Sequence, residues 1–327
     1  MLFDSSKNGR GPGADGTWLP VLAWLVAWAA TTGCGGPRPG AAATSPSSRP
    51  TVLATTTVVA DLVRQVAGDR VHVDCLMGPG VDPHSYKATP RDADRLARAA
   101  LVVASGLHLE GKLQSLLERL GDRLPVVAVA EKLPTDRLIP VGGGLFDPHA
   151  WFDPLLWSAT APAVAAALGA VDPANVEEYR RRAADYAARL RALDDEVRAL
   201  LAGIPARRRV LVTAHDAFRY FGRAYDIEVV GIQGTSTESE AGLADVNRLV
   251  DLVVTRGIPA VFVETSVSDR NVAALREGAR ARGHDLRPGG TLHSDSLGGP
   301  GSGAETLEEA LRANAATIAD ALGGGGP

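Results

Sequence analysis

The stretch DPANVEEYRRRAADYAARLRALDDEVRALLA, residues 172–202, decides the architecture. Asp172 stands where an N-cap belongs and Pro173 at the first helical position. The 29 residues from Ala174 to Ala202 contain neither Gly nor Pro. As one helix they would extend about 43 Å at 1.5 Å per residue. Gly203 and Pro205 stop it. Val176, Tyr179, Ala183, Tyr186, Leu190, Leu193, Val197 and Leu200 fall in 3-4 alternation. Such a stripe suits either a coiled-coil seam or a strut packed along one face. A seam with an alanine and two tyrosines favours the strut, because a dimer core prefers Leu and Ile.

Outward from this helix, both flanks alternate strand and helix. On the N-terminal side, β-branched and apolar runs predict strands over 51–56, 71–77, 101–105 and 126–130, with helices over 58–66, 90–100 and 112–120. On the C-terminal side the rhythm predicts strands over 210–214, 227–232 and 260–264, with helices over 243–256, 270–282 and 306–321. Alternation of this kind implies parallel sheets covered by helices. The expected fold class is therefore α/β: two Rossmann-like parallel-sheet lobes joined by one long rigid helix. The lobes are placed at 51–171 and 205–327, with the linking helix at 172–204.

The 327 residues suit two domains, at roughly 100–200 residues per domain. With 45% hydrophobic and 22% charged residues, the chain is too apolar for disorder. A formal net charge of -4 offers no broad basic field for nucleic acid, and 5% aromatics offer few stacking platforms. Two cysteines cannot build a disulfide framework. Cys75 falls in an apolar strand pattern and reads as a core residue.

The N-terminus reads as an address. Trp18 to Ala30 is an uncharged apolar run of 13 residues, the size of a signal-peptide core and short for a membrane span of about 20. Thr31-Thr-Gly-Cys34 resembles a bacterial lipobox, with Cys34 as the lipidated first residue of the mature protein. A secretory signal with an incidental cysteine is the plainer alternative. Residues 1–33 are thus expected to be a signal peptide, and the Gly/Pro/Ala/Ser-rich residues 34–50 a lipidated tether.

Chemistry concentrates in loops. Among 7 histidines, two share a tripeptide: Asp82-Pro-His84 and Asp147-Pro-His149. Proline stiffens the backbone that presents each ring. His215 follows a buried strand, at the strand end where parallel sheets place ligands. It could equally open a helix with no ligand role. Asp295 lies in a Gly/Ser-rich loop, where an acid is commonly a turn former. Taken singly, each of these residues reads as readily as a surface or satisfied side chain.

Taken together they resemble a family. Gly80-Val-Asp-Pro-His-Ser-Tyr-Lys-Ala-Thr-Pro-Arg-Asp92, Asp147-Pro-His-Ala-Trp-Phe-Asp-Pro154, Val212-Thr-Ala-His-Asp-Ala-Phe-Arg-Tyr-Phe221 and Gly289-Gly-Thr-Leu-His-Ser-Asp-Ser-Leu-Gly298 occur in the order of four motifs. Those motifs are similar to the ligand motifs of cluster A-I substrate-binding lipoproteins of bacterial zinc/manganese ABC importers. The resemblance runs from about Thr51 to the end. It implies metal ligands at His84, His149, His215 and Asp295, Zn²⁺ or Mn²⁺ as the transported ligand, and a membrane permease as partner. It also implies an extracytoplasmic protein, lipid-anchored or periplasmic. A monomer is expected.

Three imidazoles and one carboxylate suit a borderline divalent ion. Glu264 and Asp153 are candidates to accept the far ring proton of a ligating histidine; either could instead cap a helix or lie at the surface. Glu238 and Glu240 are ambiguous. A histidine as the third ligand leans toward zinc, since manganese-directed relatives carry Glu there. The segment 134–146 is short and lacks the His-rich loop of many zinc-specialised relatives. His293, two residues from Asp295, could pack or compete as a ligand. A zinc hydrolase is the enzyme alternative, but it would keep an open coordination position, and no His-Glu-x-x-His is present.

Overall fold

A computed structural model describes residues 49–323. The proposed signal peptide, Cys34 and the tether up to residue 48 lie outside the described residues.

The first lobe opens with β1 (Thr51–Ala54), α1 (Thr57–Ala67), β2 (His72–Cys75), α2 (Pro90–Arg98), β3 (Leu101–Ala104), α3 (Gln114–Gly121) and β4 (Val126–Ala128). Its sheet is parallel, in the order β2-β1-β3-β4. The strand predicted over 51–56 ends at Ala54 because Thr56 leaves the ladder and caps α1, accepting from the Val59 N–H. A hairpin of β5 (Pro140–Gly142) and β6 (Leu145–Phe146) follows, then α4 (Pro154–Trp157) and α5 (Ala161–Val171). None of these four elements was expected. Gly142, Gly143 and Gly144 all take positive φ, so the hairpin turn needs the glycine run.

The central helix α6 spans Val176–Leu201, 26 residues rather than 29. Asp172-Pro173 does open a helical turn, but a 3₁₀ one over Pro173–Asn175. The Asp172 carboxylate bonds Asn175 Nδ2 and the Tyr179 hydroxyl instead of capping backbone N–H groups. Tyr179, Ala183, Tyr186, Leu190, Leu193 and Val197 are buried as the stripe requires. The last position differs: Leu200 is 40% exposed and Leu201 is buried. A 3.6-residue period drifts off a strict heptad over several turns, and the packed face moves on by one residue. That face is covered by α1, α4 and α5 and by the C-terminal helix, all in the same chain, so α6 is a strut.

The second lobe contains β7 (Val210–His215), α7 (Arg219–Tyr225), β8 (Glu228–Gln233), α8 (Leu243–Arg256), β9 (Ala260–Glu264), α9 (Arg270–Ala281), β10 (Arg287–Leu292) and α10 (Leu307–Gly323). β7 pairs parallel with β8, and β9 with β10. The two pairs abut along β7 and β9. A continuous apolar core runs from the first lobe through α6 into α7 and α10. At its centre Phe152 and Phe218, from the two sides, stack with centroids 4.3 Å apart.

Candidate metal centre

Four segments meet between the two lobes. His84 sits between β2 and α2, and the residues after it fasten that loop. Thr89 and Asp92 form a reciprocal capping box around Pro90. The Tyr86 hydroxyl also donates to Asp92, and Arg95 ties Asp92 to Asp74. The spacing of Tyr86, Thr89, Pro90 and Asp92 in the first motif is therefore that of an anchored helix start. His149 follows the glycine hairpin. His215 is the last residue of β7, and Asp295 follows β10. Trp151 Nε1 donates to the Ser294 carbonyl across the interface and holds the Asp295 loop.

The four side chains predicted as ligands converge. One donor atom from each of His84, His149, His215 and Asp295 lies within 4.8 Å of the others, and all four residues are buried. His84 Nε2 is 3.3 Å from His149 Nε2. Asp295 Oδ1 is 3.2 Å from His149 Nε2, and Oδ2 is 3.3 Å from His215 Nε2 and 3.9 Å from His84 Nε2. A tetrahedral ion with bonds of about 2.0–2.1 Å has ligand-to-ligand edges of about 3.3 Å. The three contacts of 3.2–3.3 Å match such an edge, and the His84–Asp295 contact at 3.9 Å is longer. Both Asp295 oxygens face the cluster, so a fifth donor is within reach, as ions that favour more oxygen contacts require.

Behind the imidazoles stand carboxylates. His215 Nδ1 is 2.6 Å from Glu264 Oε2, and the His215 N–H donates to Glu264 Oε1. Glu264, one of the two candidates, thus contacts both the ring and the backbone of His215. His149 Nδ1 is 2.7 Å from Asp147 Oδ1, which also accepts the His149 N–H. Asp153, the other candidate, does not reach His149. It caps α4 through Leu156 N and pairs with Arg223 and Arg137. The acceptor is Asp147, and its signal was the repeated Asp-Pro-His: a short carboxylate two residues before the ring turns back on it. In the first tripeptide Asp82 likewise accepts the His84 N–H.

These neighbours tune the rings. Burial pulls the His149 imidazole down, but Asp147 and Asp295 outweigh it and hold it up at about 9. Burial likewise opposes charge on His215, and Glu264 with Asp295 raise it well above its ordinary value. His84 has no such partner, and burial drops it to about 4. Burial alone would raise the Asp295 carboxyl; His215 and His149 hold it well below its usual range.

The remaining candidates lie elsewhere. His293 is outside the cluster, its backbone held on both sides by the Asn314 side chain. Glu238 pairs with Lys112 across the interface and Glu240 with Arg270. Cys75 is half-buried, with its thiol pushed up to about 11 by burial. Sequence reading did not single out Tyr220. Its hydroxyl, on α7, accepts from Ile139 N–H and donates to the Asp147 carbonyl, fastening the second ligand loop.

The chain matches the family described as zinc-uptake complex component A, periplasmic, over residues 52–321. It is similar to the manganese-binding lipoprotein MntA of Bacillus subtilis (strain 168), with 44% identity over 303 residues covering 92% of this chain and 98% of that protein. It is similar to the zinc-binding protein TroA of Treponema pallidum (strain Nichols), with 44% identity over 275 residues covering 84% and 89%. The solved structure of the periplasmic zinc binding protein TroA from Treponema pallidum superposes with a TM-score of 0.82 at 43% identity, covering 84% of this chain and 99% of that one. The match in sequence and in three dimensions extends over both sheets and the helix between them, and the chain belongs to the zinc-uptake complex component A periplasmic family.

Proposed function

We propose that this protein is an extracytoplasmic receptor that holds one divalent transition-metal ion, Zn²⁺ or Mn²⁺, and hands it to the membrane permease of an ABC importer. The observation that carries the reading is the convergence of His84, His149, His215 and Asp295 in one buried cluster. Two ligands come from each side, so an ion would staple the lobes 51–171 and 205–327 across the helix 172–204. Relatives described as a manganese-binding lipoprotein and a zinc-binding protein support the same cargo. We read residues 1–33 as the signal peptide and Cys34 as the lipid anchor, and the receptor as a monomer.

The site suits holding rather than turnover. Four side-chain donors complete a tetrahedron and leave no open position for a metal-bound nucleophile. Asp147 and Glu264 fix the two ring tautomers with Nε2 facing the ion, and their charges offset that of a divalent cation. Nitrogen-rich coordination binds Zn²⁺ more tightly than Mn²⁺ in solution. Competition titration of metal-free protein should give one ion per chain, with zinc displacing manganese. A stoichiometry of zero, or hydrolysis of ester or peptide probes by the zinc-loaded protein, contradicts the reading.

A further inference from the structure

The two Asp-Pro-His tripeptides are used differently. In the second, the Asp147 carboxylate turns inward to its own histidine. In the first, Asp82 Oδ1 accepts the His84 N–H, and Oδ2 accepts from two hydroxyls, Ser85 of its own loop at 2.7 Å and Thr237 of the other lobe at 2.7 Å. Thr237 belongs to the segment 234–242 between β8 and α8. Its neighbour Glu238 pairs with Lys112 of the first lobe at 3.3 Å. This segment therefore crosses the interface and fastens at two points.

Beneath that crossing lies a cavity of about 210 Å³, lined by Asp82, Ser85, Thr237, Ser266, Glu240 and Arg270 among others, the last two paired with each other. Water takes roughly 30 Å³ a molecule, so an ion carrying part of its hydration shell fits. The cavity adjoins the buried cluster through Ser266, whose hydroxyl is 3.5 Å from Asp295 Oδ2. His84 flanks the same cavity through its neighbours Asp82 and Ser85. It is the one ligand histidine with no carboxylate bonded to its ring. Its backbone is held by Asp82, and Asp82 is shared between Ser85 of the same loop and Thr237 of the other lobe.

Resting on the metal-receptor reading, we propose that Thr237 is a positioning residue for His84, acting through Asp82, and that segment 234–242 is the gate through which the ion passes. With the Thr237–Asp82 bond made, the His84 loop closes the cavity from the cluster. With it broken, His84 swings with its loop and the ion exchanges ligands for the oxygen donors of the cavity. The bond stands in the path rather than on the ion, so it sets both rates more than the equilibrium.

The test is stopped-flow capture and chelator-driven release of Zn²⁺ by the full chain and two variants. Thr237→Val, which keeps shape and removes the donor, should speed capture and release together by about tenfold, with the Kd within about threefold of wild type. Thr237→Ser, which restores the hydroxyl, should return both rates to wild type. Unchanged rates in Thr237→Val overturn the gate. So does a rise in release alone with a matching rise in Kd, the signature of a damaged site, or failure of Thr237→Ser to restore the rates. Wild-type protein that takes up no zinc overturns the receptor reading itself, an outcome visible before any variant is compared.

Discussion

His149 and His84 carry the same tripeptide and opposite proton affinities. The carboxylate behind His149 orients the ring and adds to its basicity, so Asp147→Asn should weaken zinc binding about 10–100-fold by competition titration. Asp153→Ala, four residues beyond the ring, should leave zinc affinity within about twofold and lower thermal stability by roughly 1 kcal/mol through the lost cap of α4. Equal losses of affinity in both variants would contradict the assignment. The pH dependence follows from the same groups. With His149 held up at about 9 and His215 raised well above its ordinary value, the metal-free protein carries a proton on each ring at neutral pH that an incoming ion must displace. His84, lowered to about 4, contributes no such competition. Zinc affinity should therefore rise with pH up to about 9, with release of about two protons per ion near pH 7.5, read by calorimetry in two buffers of different ionisation enthalpy. Absence of proton release contradicts the shift. The four clustered side chains were legible only together, through motifs whose order resembles a family; taken singly, none declared itself. Of the two roles left open for Asp153 the structure takes the helix cap, because nearness in sequence says nothing of direction: the turn at residues 150–152 sends its carboxylate to α4 and Arg223.

At the scale of elements, strands and amphipathic helices showed in the sequence and apolar ones did not. Leu243–Arg256, with clear polar and apolar faces, and Ala260–Glu264, a short apolar run buried on both faces, begin and end where predicted. The run 161–171 is almost wholly alanine, valine and leucine, with no polar face to give a period, and it forms α5 against α6. α7 escaped notice because seven residues are too few to show a period. The α6 register makes a sharp distinction. Leu201→Ala should destabilise by about 2–5 kcal/mol in denaturant titration and Leu200→Ala by less than about 0.5 kcal/mol, the reverse of what strict 3-4 alternation predicts. The placing of His215 depends on a glycine in the neighbouring strand. A Cβ at Gly231 would lie 2.4 Å from the Asp216 backbone nitrogen, in the turn that leaves β7. Gly231→Ala should push that turn off β8 and weaken zinc binding at least tenfold, roughly 1.4 kcal/mol. Unaltered affinity would show that β7 alone fixes the ring.

Over the whole molecule, the long helix and the shared core determine how much can move. α6 has no Gly or Pro within Val176–Leu201, and its buried face is packed by helices from both sides. Phe152, Phe218 and the Tyr220 hydroxyl lock the interface near the second ligand loop. Opening of tens of degrees, as in hinge-bending receptors, would tear this core. Capture and release of an ion should instead proceed by movement of loops, with matching scattering profiles for metal-free and zinc-loaded protein. The sequence announced this plan through one uninterrupted helix between two βα rhythms. It did not announce how the lobes touch, because aromatic contacts between distant segments leave no periodic trace. The most direct test is anomalous scattering at the zinc edge from a crystal grown with zinc. The account predicts one peak at about 2.0–2.1 Å from His84, His149 and His215 Nε2 and from an Asp295 oxygen. A peak elsewhere, or those atoms too far apart to share one, would contradict it.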